Sequence, residues 1–138
     1  MLELLVVVAI LGIAAMIMAL NLRPAEAPVQ TAARLVEGFI LQARSMAIAT
    51  TSAYRVTPDG ADRLVVEYAG DCSDSTWTPE PDTVLELPDG VTMADTGWSV
   101  CFSRRGISTA NVTVTLNHPE RGTSRVEVLL GGGTRVSS

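Results

Sequence analysis

The chain has 138 residues and a mass of 14.6 kDa, enough for one domain and too short for a multidomain enzyme. Ten Arg and no Lys stand against 15 acids, for a net charge of -5 and a pI near 4.7, which excludes a uniformly basic nucleic-acid binder but not a local basic patch. Hydrophobic residues at 47% and a mean hydropathy of +0.29 exclude a disordered chain, and two Cys with one His exclude a zinc centre built from several such ligands.

Residues 4–20 form a 17-residue run, LLVVVAILGIAAMIMAL, without a charged or polar side chain. As a helix it measures about 25 Å, near the lower limit for crossing a hydrocarbon core of about 30 Å. A cleaved signal peptide would need a positive n-region, and only Met1, Leu2 and Glu3 precede the run. A buried core helix is at odds with a remainder that reads mostly as strand. A simple membrane anchor leaves Glu3 without a partner, and a carboxylate beside an apolar run is costly unless it has one.

An apolar helix with one acid close to its start resembles the N-terminus of type IV pilins and pseudopilins, whose mature chains begin Phe or Met, then Thr-Leu-x-Glu. The matching stretch runs from Leu2 through Glu3 to Gly12 and Ile13, with Glu3 and Gly12 keeping the family's nine-residue spacing. The chain is two residues shorter at the front than that pattern and shows no leader ending in Gly, so Met1 is not identified with the methylated terminus. The resemblance implies that the Glu3 carboxylate pairs with the terminal ammonium of a neighbouring subunit and sets axial register. A carboxylate in an apolar setting is stabilised by such a cation. It also implies that Leu4, Leu5, Val6, Val7, Val8, Ile10, Leu11, Ile13, Ile17 and Leu20 lie first in the inner membrane and then in a filament core. Gly12 and the Ala14-Ala15 pair permit close helix contact there.

Pro24 and Pro28 disfavour a continuous helix across 21–28. From 29 to 51, Val29, Ala33, Val36, Ile40, Ala43 and Ala47 recur every three or four residues, which predicts a second helical half with its apolar face on a sheet. Thereafter the period becomes strand-like. Strands are expected at 53–56, 63–68, 83–87, 91–94, 98–103, 111–116, 125–130 and 134–136, separated by turns at 58–60, 88–90, 118–122 and 131–133. Residues 70–81 read as a polar loop. The plan is α+β: a helical region over 1–51, its 1–28 half for the membrane or filament core, and a globular antiparallel β domain over 52–138. The stretches 41–48, 100–106 and 133–136 resemble the GspH and FimT group of pilins.

Cys72 and Cys101 stay reduced in a cytosol, but the resemblance places this domain outside the inner membrane, where a bridge is expected. It would close a loop of 28 intervening residues and add about 3 to 4 kcal/mol. Two buried free thiols are the alternative, since spacing does not establish that the Cα atoms are within reach.

Charge is unevenly placed. Residues 1–58 hold four Arg and three Glu, net +1; residues 59–95 hold one Arg and ten acids, net -9; residues 96–138 hold five Arg and two Glu, net +3. The acidic middle has no calcium-loop spacing and reads as a solvated face, with no metal site. The five are Arg104, Arg105, Arg121, Arg125 and Arg135. On one face they could contact DNA phosphates, as the FimT-like resemblance implies; alternatively they pair with the acidic middle of a neighbouring subunit. The lone His118 lies in a turn, Glu80 and Asp82 in a Pro-rich loop, and 131–133 is a turn with no following helix. None makes a catalytic set or a phosphate cradle, so no enzyme and no cofactor is expected.

The function these features imply is a structural type IV pilus subunit serving adhesion, motility or DNA uptake. The alternatives are a minor pilin that binds DNA in competence and a type II secretion pseudopilin. The implied partners are further copies or other pilins, the inner membrane, the assembly machinery and DNA. The implied location is the bacterial inner membrane and then a cell-surface filament, or the periplasm for a pseudopilin.

Overall fold

The computed structural model describes residues 1–21 and 28–138, with side chains from 1–18 and 28–138. The expected break near 21–28 therefore lies almost wholly outside the described residues. Helix α1 spans Leu2–Asn21 and α2 spans Pro28–Thr50. Pro28 opens α2, at the end of a helix where its missing N–H removes no intrahelical bond. Thr51, with φ 54°, follows its last residue in the left-handed region.

Eight strands follow: β1 Ala53–Pro58, β2 Arg63–Ala69, β3 Thr78–Glu86, β4 Thr92–Met93, β5 Val100–Phe102, β6 Val112–His118, β7 Gly122–Val128 and β8 Thr134–Ser137. They form two four-stranded sheets, in the orders β3-β2-β1-β5 and β4-β6-β7-β8. Every pair of neighbouring strands in these orders is antiparallel. Alternation reports which face of a strand is buried, not which neighbour it chooses, so the division is invisible along the chain.

Strand β3 starts at Thr78, inside the stretch expected to be loop, with Glu67 opposite Pro79 and an irregularity between Val65 and Glu67. Pro79 and Pro81 are tolerated because β3 is an edge strand, where an absent N–H costs no ladder bond on the open side. Strand β7 starts at Gly122, which leaves only 119–121 to connect it with β6.

Helix α2 packs against both sheets, most closely on β7 and β1. Its buried stripe of Val29, Ala32, Ala33, Val36, Phe39, Ile40, Ala43 and Ala47 meets Val56, Leu64, Val66, Phe102, Val114, Leu116, Val126 and Val128 in one core. Four Ala in that stripe keep the helix close to the strands.

Candidate assembly surfaces

Three stretches far apart in sequence meet at the C-terminal end of α2. The Arg44 Nε donates to the Gly106 carbonyl at 2.9 Å. Gly132 approaches so near that a Cβ on it would lie 2.3 Å from the Gly106 oxygen and 2.8 Å from Arg44 Nε. Gly106 and Gly132 have φ of +76° and +85°, a region glycine enters without steric penalty. The Thr134 hydroxyl donates to Glu37 Oε1 at 2.8 Å, tying β8 to α2. Arg44 of 41–48 and Gly106 of 100–106 thus meet at Gly132, the residue before 133–136.

A disulfide joins Cys72 and Cys101, with Cα atoms 6.0 Å apart. Cys101 lies opposite Arg55 in the β1–β5 register, so the bridge pulls loop 70–77 over that face of the first sheet. Arg55 also lies beneath Trp77, with its guanidinium carbon 4.3 Å from the ring centroid, and donates through Nε to Glu67 at 2.7 Å. Asp71 Oδ1 accepts from the Ser73 amide and hydroxyl, each at 3.0 Å. The amide bond, then the hydroxyl bond, with Arg104 as a further contributor, hold the exposed Asp71 carboxyl below its ordinary value of 3.8, against a small opposing burial effect.

On α1 the side chains of Leu4, Leu5, Val6, Val7, Val8, Ile10, Leu11, Ile13 and Ile17 are 52–69% exposed. Glu3 is exposed among them, and the Leu20 side chain lies outside the described residues. A Cβ added at Gly12 would meet nothing within 4 Å in this subunit. Among the described residues no helix is long and apolar enough to cross a membrane.

The five C-terminal Arg do not form one face. Arg104 and Arg105 sit in the turn after β5, with Arg104 Nη2 donating to the Gly70 carbonyl at 3.3 Å. Arg121 lies in the β6–β7 turn, at the other end of the seven-residue strand β7 from the 129–133 turn that meets Gly106. Arg125 is exposed within β7, opposite Thr115 and Ser137. Arg135 faces Glu127 across the β7–β8 ladder and is ion-paired to it, its Nε donating at 2.7 Å. Sequence spacing grouped these residues; antiparallel connections send consecutive turns to opposite ends of a sheet and separate them.

The profile of the family described as type II transport protein GspH matches residues 32–133. The chain belongs to the GspH family. Its fold is the pilin fold, α+β with an N-terminal helix on antiparallel sheets. It is similar to the type IV minor pilin FimU of Pseudomonas aeruginosa at 14% identity and a TM-score of 0.62, covering 80% of this chain and 88% of that one. It is also similar to the minor pseudopilin EpsH from the type II secretion system of Vibrio cholerae at 16% identity and a TM-score of 0.60, covering 80% and 96%. No curated protein matches the sequence. This GspH-family chain is a pilin-like subunit of a pilus or of type II secretion machinery.

Proposed function

We propose that the chain is a non-enzymatic structural subunit of a type IV pilus-like filament, assembled through α1. The observation that carries this reading is the exposure of α1. A helix hydrophobic all round is normally buried, yet the described large apolar side chains of α1 are open on this subunit. A membrane before assembly and a bundle of neighbouring α1 helices afterwards are equivalent apolar surroundings, so transfer between them need not expose the helix to water. The 17-residue run is at the lower length limit for a bilayer, with Glu3 near the headgroup boundary before it pairs in the filament. The inner membrane and then the cell surface are the places this reading assigns.

The family match and the similarity to EpsH support a pseudopilin as a second reading, with the same helix in a periplasmic assembly. The DNA-binding reading has less support, because the five Arg fall into separate groups and Arg135 is ion-paired to Glu127. Mass spectrometry of filaments sheared from the native cell tests the main reading. Abundant peptides identify a pilus subunit. Absence from surface filaments, with recovery in a periplasmic secretion complex, replaces it with the pseudopilin.

A further inference from the structure

Strand β3 leaves one edge open, and α2 stands beside it. β3 is the outermost strand of its sheet, and among the described residues no backbone group of 82–86 bonds outside the β2–β3 ladder. Pro79 and Pro81 have no N–H to give a further strand, so the edge that can pair runs over 82–86. Between this edge and the outward side of α2 lies a groove of about 370 Å³. Leu35, Gly38, Phe39 and Gln42 form much of its helix wall, and 82–85 form its strand wall. Leu35 is 43% exposed although large and aliphatic. A Cβ added at Gly38 would meet nothing within 4 Å, so the helix wall is set back at that point.

The register of β3 divides the chemistry of the groove. Leu85 lies opposite the buried Leu64, and Glu86 lies opposite Arg63. Side chains alternate along a strand, so Thr83 and Leu85 turn toward α2 while Asp82, Val84 and Glu86 turn to the outer face. The charged groups around the groove are Arg34 on the helix wall, Glu80, Asp82 and Glu86 on β3, and Arg63 across from Glu86. Arg63 also lies 3.7 Å from Asp59, and Glu67, farther along the outer face, is paired with Arg55. Asp82 and Glu86 are exposed on the open strand.

We infer that 82–86 takes an extended segment of another protein as a fifth strand of this sheet, one in which aliphatic side chains alternate with Lys or Arg. The inference stands whether the chain joins a pilus or a secretion assembly. Main-chain bonds to the open edge hold the segment, and alternate pockets select its side chains. The aliphatic set fills the groove against Leu35, Phe39 and the space over Gly38, and the basic set lies beside Asp82 and Glu86. The other described edge strands of this chain are too short to fill that edge: β4 has two residues, β5 three and β8 four, and Arg135 of β8 is ion-paired to Glu127.

The test uses the full chain in neutral detergent and a labelled peptide that alternates Val with Arg, read by fluorescence anisotropy. The peptide is expected to bind and to slow amide exchange within 82–86. Methylating one alternate set of its amide nitrogens should abolish binding, and methylating the other set should not, because only one set faces β3. Gly38→Leu should weaken binding about tenfold, the worth of one excluded aliphatic side chain. Asp82→Arg should weaken it by about two- to fivefold, and a peptide alternating Val with Glu should bind about tenfold less tightly. Both substituted positions are exposed, and retention of the Cys72–Cys101 bridge checks folding. No binding, binding unchanged by Gly38→Leu, equal effects of the two methylation patterns, or equal affinity for the Glu peptide overturns the inference. In the native cell, a photoreactive residue at Thr83 should capture another protein through a segment with the alternating aliphatic and basic pattern. Capture of a second copy of this chain, of a segment without that pattern, or of nothing overturns the inference as well.

Discussion

Gly132 and Gly106 are in backbone contact, closer than any other residue type would allow: a Cβ on Gly132 would stand 2.3 Å from the Gly106 oxygen. That contact seats the 129–133 turn on the end of α2 beside Arg44. Gly132→Ala is therefore expected to destabilise the domain by about 3 kcal/mol, combining left-handed strain with a backbone clash. Gly122→Ala is the control. Its φ is also strongly positive, +89°, but its Cβ would meet nothing within 4 Å, so only the strain of about 1 kcal/mol applies. Urea unfolding of the two variants should separate them; equal costs would remove the contact from the explanation.

The bridge between Cys72 and Cys101 closes a segment 29 residues apart in sequence. Replacing both by Ser should lower stability by about 2 to 4 kcal/mol through the entropy of the unfolded chain. Protease cleavage should then appear first within 70–77. Unchanged stability with and without reductant would mean that the loop is held by its other contacts.

Trp77→Ala removes the ring over Arg55 while leaving the Arg55–Glu67 pair in place. The expected loss is about 0.5 to 1 kcal/mol from the cation–π contact, plus some burial. A double cycle with Glu67→Gln would show coupling, because Arg55 is positioned from both sides. A Trp77→Ala loss unchanged by Glu67→Gln would mean that the two contacts act independently.

Asp71 titrates below 3.8 because the folded loop presents the Ser73 amide and hydroxyl to its carboxylate. A depressed folded value stabilises the loop above the unfolded pKa, and that contribution disappears as pH falls through the folded pKa. Loop order should thus be constant at neutral pH and weaken only in acid below about pH 4. An NMR titration of the Asp71 carboxyl should give a midpoint below 3.8 in the native chain and nearer that ordinary value in Ser73→Gly, which loses the hydroxyl bond.

Glu3→Ala should sharply reduce filament assembly while leaving membrane insertion intact, since removing a charge makes the apolar helix easier to insert. Counting filaments by electron microscopy, with membrane fractionation alongside, reads both. Normal filament numbers would sink the role assigned to Glu3.

What the sequence determined by itself was local. The run at 4–20, the three-and-four spacing from Val29 to Ala47, and the alternation after Ser52 fixed helix and strand character, because side-chain period is a property of the backbone conformation. The Glu3–Gly12 spacing likewise pointed to the family without any long-range information. Tertiary structure decided the rest. It divided the strands between two sheets, extended β3 through Pro79 and Pro81, and set Arg55 between Trp77 and Glu67. It also scattered Arg121, Arg125 and Arg135 away from Arg104 and Arg105, and set the open edge of β3 beside Leu35 and Gly38 of α2. Each of these depends on which strand neighbours which and at which end a turn emerges. Contacts across tens of residues set those choices, and no periodicity within a single segment records them.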